Sequence, residues 1–342
     1  MKAFLSSWSG IVGNVTSFLE AQLPQAVDWL ITERCQLLCP HCHSRDVLLS
    51  KPFLNFGERF RYAEQMNLAE LLARHPLIKG VSFCGGEPLI ENGILDIFSV
   101  IKNARKKIAV STNGLVFLVG SYDTFFVTIR KNSGEETKVP LNAFLSYVDQ
   151  IDFSFDTIKD NDYRGSFPNS MSKIVLAIKT HQQKDTAIKI RTCISAINQN
   201  VIVSELVPAM NKIAKELKET GNERNINWTL TFYRPNVNAP QMRKYLEIDY
   251  TKYKEIVSSV KNELYPYDST IKISDHQLRQ TGHCPIVLPN GVLVTNIEEV
   301  ERDNISQIHL GIIGYLGAEN PWVIQEGIQL IQPQRWIEEL LS

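Results

Sequence analysis

Residues 26–45, AVDWLITERCQLLCPHCHSR, join a strand-like apolar run to a loop that holds three cysteines. Cys35, Cys39 and Cys42 follow the spacing C-x3-C-x2-C. Iron–sulfur clusters are usually held by four cysteine thiolates, so a set of three would leave one iron of a four-iron cube open to an outside molecule. The same thiols with His41 or His43 would also suit a tetrahedral zinc site. The loop therefore predicts a metal centre and leaves the choice of metal open.

Strand-like and helix-like segments alternate downstream of this loop. Amphipathic helical patterns separate the strand-like segments IKGVSF, KIAVST, VDQIDFSF, AIKIRTCI and INWTLTF, which brings the series to six β/α-type units. Such alternation predicts an α/β fold with a parallel sheet covered by helices. Because parallel sheets are usually buried on both faces, we expect strands that are nearly continuous in apolar residues.

Three segments fall outside the alternation. In residues 115–148, TFFVTIR and TKVPL flank the turn-rich KNSGEE, which predicts a hairpin insertion. Residues 1–26 have apolar residues at helical spacing, which predicts an N-terminal helical extension packed on the domain. Residues 266–342 depart from the β/α pattern and predict a small α+β C-terminal extension. The main domain is then expected over residues 27–265.

Composition limits the classes of partner. The chain has 342 residues with 36 basic and 37 acidic side chains, so it lacks the electrostatic character of a protein that wraps nucleic acid or docks on anionic lipid. No apolar run approaches the length of a transmembrane span, and the N-terminus lacks the pattern of a secretory signal. Six cysteines, three of them crowded together, do not suggest a disulfide framework. These features predict a cytoplasmic protein.

Two further motifs follow predicted strands. GGEP, Gly85 to Pro88, comes directly after the second strand, and STNG, Ser111 to Gly114, closes the third. Together with the cysteine loop after the first strand, this arrangement resembles the radical S-adenosylmethionine (radical SAM) superfamily over roughly residues 27–235. The resemblance implies a partial (β/α)6 barrel whose reactive loops gather at the carboxyl ends of the strands. It also favours an iron–sulfur cluster over zinc.

The resemblance implies roles for particular residues. The three loop cysteines would ligate a [4Fe–4S] cluster whose open iron binds the amino and carboxylate groups of S-adenosylmethionine (SAM). Gly85, Gly86 and Glu87 would contact the methionine amino group, since glycines let a backbone approach a ligand and a carboxylate accepts from an ammonium. The remaining expected SAM contacts are His41, Pro88, Ser111, Asn113, Ser154, Asp156 and Arg191. Asp156 would equally suit a turn or helix cap, and Arg191 a structural ion pair.

The implied chemistry is reductive cleavage of SAM to a 5′-deoxyadenosyl radical, which abstracts hydrogen from a substrate carbon. The cofactor carries that chemistry, and the protein supplies orientation and a dry cavity. The resemblance also implies a flavodoxin- or ferredoxin-type electron donor. The substrate is expected to be a peptide natural-product precursor, with a nucleotide, sugar or antibiotic precursor as the alternative. A zinc-binding module without catalysis is the alternative from another class.

The C-terminal segment CPIVLPNGVLVT resembles the opening of SPASM or Twitch extensions, which carry auxiliary clusters in many peptide-modifying members of the superfamily. Here Cys284 is the only cysteine of residues 266–342, so we expect an extension that keeps the hairpin and lacks the cluster. Cys284 is a candidate hydrogen-atom donor to a substrate radical, or else a structural thiol. Tyr233 and Arg234 end the sixth predicted strand and are candidate substrate contacts.

Overall fold

The computed structural model describes residues 26–37, 39, 42, 62–75, 78–157, 169–180, 186–219, 226–233, 245–264, 266, 270–276, 286–287, 292–294 and 314–315. Several sequence predictions lie outside the described residues: the helical extension before Ala26, His41, His43, Arg234, Cys284 and most of the C-terminal extension after residue 276. Every helix within the described ranges is too short or too polar to cross a bilayer.

The described strands are β1 (Ala26–Thr32), β2 (Gly80–Gly85), β3 (Lys107–Thr112), β4 (Phe117–Val119), β5 (Phe125–Arg130), β6 (Glu136–Pro140), β7 (Gln150–Ser154), β8 (Ala187–Ile194), β9 (Ile226–Phe232), β10 (Ile271–His276), β11 (Ile286–Val287), β12 (Val292–Val294) and β13 (Gly314–Tyr315). The α-helices of more than one turn are α1 (Tyr62–Arg74), α2 (Ile94–Asn103), α3 (Leu141–Leu145), α4 (Asn169–Thr180), α5 (Val207–Glu219) and α6 (Tyr250–Leu264). A π-helical turn, Ile202–Leu206, leads into α5.

One large sheet contains all the predicted β/α strands. β1, β2, β3, β7, β8 and β9 lie side by side in chain order and pair in parallel. An α/β fold with a mostly parallel sheet is therefore confirmed. β10 adds a further parallel strand beside β9, although the sequence assigned it to the C-terminal extension. It follows α6, as β2, β3, β7, β8 and β9 each follow a helix, so it completes another β/α unit.

The expectation of nearly continuous apolar strands is wrong, because the two faces of the sheet differ. One row of residues crosses the sheet on the helix-covered face, and each member is at most 2% exposed: Trp29, Phe83, Val110, Ile151, Ile188, Ile226 and Ile271. Phe83 contacts Phe98 of α2 at 4.8 Å between ring centroids. The opposite face, called the polar face below, carries Asp152 and Lys189 at alternating positions, since successive side chains of a strand point to opposite sides.

The insertion after β3 is a three-stranded antiparallel sheet in the order β4-β5-β6. Its last two strands are the pair that the sequence predicted as a hairpin, and β4 is an additional strand. Phe117 of β4 packs edge-on against Phe144 at 5.8 Å and Phe153 at 5.3 Å. The insertion therefore shares the hydrophobic core of the main sheet.

The predicted C-terminal hairpin also joins the main sheet. β11 and β12 pair in antiparallel fashion, with Ile286 opposite Val294. β11 in turn pairs in parallel with β1, where Ile286 lies opposite Asp28. The edge of β1 that faces away from β2 is thus occupied by a segment from the far end of the chain.

We expect Phe117→Ala to lower the free energy of unfolding by about 3–5 kcal/mol, because it removes a buried ring and leaves a cavity in the shared core. Tyr122→Ala is the matched control, since Tyr122 lies in the same insertion and is 98% exposed. Its effect should stay within about 0.5 kcal/mol. Urea unfolding of the full chain measures both values. Equal effects of the two substitutions would show that the insertion is not part of the core.

Candidate functional site

The carboxyl ends of β1 and β2 are joined by backbone hydrogen bonds. The Gly86 N–H donates to the Thr32 carbonyl at 2.7 Å, and the Glu87 N–H donates to the Arg34 carbonyl at 2.7 Å. The Arg34 guanidinium also pairs with Glu91 at 2.9 Å, just beyond the GGEP motif. The segment that enters the cysteine loop is therefore held by the GGEP segment at three points.

The two glycines of the motif are required by this close approach. Gly85 has φ +130°, and a Cβ atom there would lie 2.2 Å from the Thr32 carbonyl oxygen. A Cβ atom on Gly86 would lie 2.1 Å from the Arg34 carbonyl oxygen. Any side chain at either position would force the two backbones apart. From the sequence we predicted that these glycines contact a ligand. In the described structure they contact the backbone of the segment that follows β1.

Glu87 is fully buried and ties β2 to β3. Its carboxylate accepts hydrogen bonds from the Leu89 N–H at 3.2 Å, the Asn113 N–H at 2.8 Å and the Thr112 hydroxyl at 2.9 Å. Burial raises the pKa of Glu87 to about 7, while the hydrogen bonds to the carboxylate act in the opposite direction. Both oxygens are engaged by the protein, so Glu87 organises the strand ends.

The cysteine loop is linked to the same network through Asn113. The Asn113 side-chain amide donates to the Cys35 Sγ atom at 3.6 Å and to Gln36 Oε1 at 3.1 Å. The Leu37 N–H also donates to Cys35 Sγ, at 3.4 Å. Burial raises the pKa of the Cys35 thiol, and the charge of Glu87 adds to that effect, whereas the two hydrogen bonds to sulfur oppose it.

The cysteine loop supplies three thiols, the type of ligand that holds an iron–sulfur cluster. Cys35, Cys39 and Cys42 form no disulfide in the described structure and are of intermediate exposure, and the Cys42 N–H donates to the Cys39 carbonyl at 3.2 Å within the loop. Across the part of the chain that the structure describes, no three Cys, His, Asp or Glu side chains converge on a point that could hold one metal ion. A cubane bonds each thiolate to a different iron, so three thiols would hold three of its four irons.

Other predicted cofactor residues lie on the strand ends. Ser111 on β3 is opposite Asp152 on β7, and Ser154 on β7 is opposite Arg191 on β8, all on the polar face. Pro88 is buried and begins a short 3₁₀ turn, Pro88–Ile90.

Asp156 and Arg191 both have protein partners. The Asp156 carboxylate accepts the Cys193 N–H at 2.7 Å, and Asp156 is only 1% exposed, so it joins the end of β7 to the end of β8. The Arg191 guanidinium donates to Asp152 Oδ2 at 2.6 Å. These contacts agree with the alternatives that the sequence left open, which were a turn role for Asp156 and a structural ion pair for Arg191. Tyr233 is buried and packs against Leu246.

Sequence reasoning missed Thr112, Asp152 and Lys189. Thr112 is part of the STNG motif but was not singled out, although its hydroxyl is within hydrogen-bond distance of both carboxylate oxygens of Glu87. Asp152 and Lys189 lie in strands that we expected to be nearly continuous in apolar residues, and neither was singled out. Their signal was the alternation of apolar and polar residues in QIDFS and in IKIR, which indicates strands with one polar face.

The comparisons with known proteins give a match to one family model and a set of relatives. Residues 29–179 match the family model of the Radical SAM superfamily. The chain is 27% identical over 135 residues to the probable GTP 3′,8-cyclase of Methanothermobacter marburgensis. It is 24% identical over 177 residues to the GTP 3′,8-cyclase of Clostridium perfringens. These alignments cover 39% and 49% of this chain but only 36% and 47% of the relatives, so less than half of each relative is matched.

Solved structures with a similar fold include two of Streptococcus suis SuiB. The structure of SuiB bound to precursor peptide SuiA has a TM-score of 0.54 at 12% identity and covers 83% of this chain and 62% of that one. The structure of SuiB bound to S-adenosylmethionine has a TM-score of 0.50 at 11% identity and covers 88% and 67%. At such low identity the likeness is one of fold.

We expect Gly86→Ala to destabilise the protein by about 1–3 kcal/mol, because the new Cβ atom would collide with the Arg34 backbone. Gly134→Asn is the control: Gly134 has φ +87° and its nearest added contact is 3.7 Å away, and Asn tolerates that backbone region. Urea unfolding under reducing, anaerobic conditions measures both. A Gly86→Ala protein as stable as the wild type would refute the close approach.

The raised pKa of Glu87 predicts a pH dependence. Between pH 4.5 and about 7 the folded chain keeps a proton on Glu87 that the unfolded chain has released, so the contribution of this carboxyl to stability falls as pH rises. Glu87→Gln removes the titration. The free energy of unfolding of the wild type minus that of Glu87→Gln should therefore fall by on the order of 3 kcal/mol across this window.

The measurement is denaturant unfolding of both proteins at several pH values. Glu70→Gln, which removes an exposed carboxylate of α1, controls for the loss of one charge. A difference between wild type and Glu87→Gln that rises with pH would mean that the carboxylate form is the one favoured by folding.

Proposed function

We propose, from the premise that residues 29–179 form a radical SAM domain, that this chain is an enzyme that cleaves SAM reductively and abstracts hydrogen from a substrate carbon. The cofactors of such a domain are a [4Fe–4S] cluster and SAM. When bound, they supply a 5′-deoxyadenosyl radical. The observation that carries the proposal is a loop with three cysteine thiols whose entry is hydrogen-bonded to the GGEP backbone.

The residues of the loop would hold the cluster. Cys35, Cys39 and Cys42 are the proposed ligands, and the fourth iron would be left for SAM. Hydrogen bonds from Asn113 and Leu37 to the Cys35 sulfur favour its thiolate form, which is the form that binds iron. Glu87 keeps Asn113 in place by accepting its backbone N–H.

The proposed SAM contacts are the backbone of the GGEP segment with His41, Ser111 and Ser154. Asp156 and Arg191 remain in the proposal as residues that shape the strand ends, since both already have protein partners.

A curved sheet, as in a partial barrel, is also proposed. Asp28 on β1 and Lys189 on β8 are four strands apart, a distance of roughly 19 Å in a flat sheet. Burial lowers the pKa of Lys189, and the charge of Asp28 acts in the opposite direction. This effect indicates that the two charges lie closer together than in a flat sheet. Curling of the sheet toward its polar face would bring them together. The hairpin of β11 and β12 against β1 fits the proposed SPASM- or Twitch-like extension.

For the substrate we propose a peptide natural-product precursor. Support comes from the fold likeness to SuiB, whose structure contains a precursor peptide. A small molecule is the second candidate, favoured by the sequence similarity to GTP 3′,8-cyclases. A flavodoxin- or ferredoxin-type protein is the proposed electron donor.

Anaerobic reconstitution tests the proposal. We expect about four irons per chain, the content of one cubane, and formation of 5′-deoxyadenosine from SAM after reduction. Cys35→Ala, Cys39→Ala or Cys42→Ala should each lose most of the iron and this product. Cys84→Ala is the matched control, because Cys84 lies outside the loop and forms no disulfide in the described structure. Colourless protein that holds zinc would instead identify a zinc-binding module.

A further inference from the structure

The polar face of the sheet has a composition that a packed barrel interior lacks. One row across it holds Ser111, Asp152, Lys189, Asn227 and Lys272, and the next holds Ser154, Arg191, Thr229 and Ser274. The interior of a filled β/α barrel is dominated by bulky branched apolar side chains. Rows of hydroxyl, amide and charged groups fit a cavity that takes water or a polar ligand.

Asp152 carries an unused acceptor on this face. Its side chain is 7% exposed, and Oδ2 accepts from the Arg191 guanidinium at 2.6 Å. Oδ1 is buried and has no hydrogen-bond partner among the residues that the structure describes. A buried acceptor without a partner is costly, and natural proteins rarely leave one unsatisfied. Arg191 fixes the carboxylate so that Oδ1 is left for another donor, which makes Arg191 a positioning residue.

Lys189 offers a donor near the same carboxylate. Its Nζ atom lies 3.9 Å from Asp152 Oδ2, which is beyond hydrogen-bond distance, and its side chain is 25% exposed. Among the described residues no hydrogen bond from Nζ is found. Burial lowers the pKa of Lys189 and the charge of Arg191 lowers it further. An additional acceptor would stabilise this ammonium group.

We propose, on the basis of the function proposed above, that Asp152 and Lys189 bind an amide or lactam edge of the substrate. The N–H of that edge donates to Asp152 Oδ1, and the adjacent carbonyl oxygen accepts from Lys189 Nζ. Such an edge occurs on a guanine or uracil base and on the carboxamide of Asn or Gln. A trans peptide bond does not offer it, because its N–H and C=O point to opposite sides.

The test is protection of Lys189 from acetylation by an N-hydroxysuccinimide ester, read by peptide mass spectrometry. The protein is the full chain, cluster-loaded and not reduced. GTP supplies a lactam edge, and O6-methyl-GTP is its matched analogue without one. Gly-Gln-Gly supplies a carboxamide, and Gly-Met-Gly is the matched peptide. Lys215, which is exposed on α5, serves as the internal reference for labelling.

We expect GTP or Gly-Gln-Gly to slow acetylation of Lys189 about tenfold or more, and the matched analogue to have no such effect. Protection by GTP alone identifies a base as the source of the edge, and protection by the peptide alone identifies a side chain. Absence of protection by both probes, or equal protection by the matched analogue, overturns the proposal.

Asp152→Asn should reduce the protection about tenfold, since it exchanges one carboxylate acceptor for an amide donor. Lys272→Gln removes a cation of the same row two strands away and should leave the protection of Lys189 unchanged. If Asp152→Asn does not fold, the four probes on the wild type still decide. The assay needs no turnover, so a failure to cleave SAM counts against the proposed function and leaves the labelling result to stand.

Discussion

The site depends on one buried carboxylate. Glu87 accepts hydrogen bonds from the turn that follows it and from the end of β3, while its own N–H holds the segment that leads into the cysteine loop. Desolvation opposes the charged form, and hydrogen bonds to a charged group, each worth about 1.5–3 kcal/mol, oppose that penalty. Desolvation is the larger effect, so the pKa of Glu87 is raised to about 7. Three strand ends and the loop thus share one anchor, and Cys35 joins it through Asn113.

The two faces of the sheet have different roles: one face packs against the helices, and the other carries polar side chains. Alternate residues of each strand face the helices. One row of these residues, which runs across the sheet from Trp29 to Ile271, is apolar and buried. The residues between them present charges and hydroxyls, and Asp152 with Arg191 is the closest ion pair among them. Because the two sets alternate along each strand, substitutions on the polar face change little of the apolar packing. The face can therefore be adapted to a ligand while the fold is kept.

The sequence predicts the class of fold well and the contacts of the site poorly. The β/α alternation and the GGEP and STNG motifs locate six parallel strands and their carboxyl ends, because periodicity and glycine are local signals. The pairing of Arg191 with Asp152 depends on the register of two strands 39 residues apart in sequence, which no local pattern encodes. The contact between Thr112 and Glu87 spans 25 residues for the same reason. β10 was assigned to the extension because only its pairing with β9, which no local pattern encodes, places it in the main sheet.

The position of β11 has a consequence for how the chain can be shortened. An unpaired strand at the border of a sheet exposes N–H and C=O groups that recruit other chains, and natural proteins cover such borders. β1 is the strand that delivers the cysteines, and its outer border is covered by Ile286 and Val287 from near the opposite terminus. A chain cut before these residues would uncover that border directly beside the thiols. Self-association through β1 is then the expected failure of a truncated protein, whatever the tail itself binds.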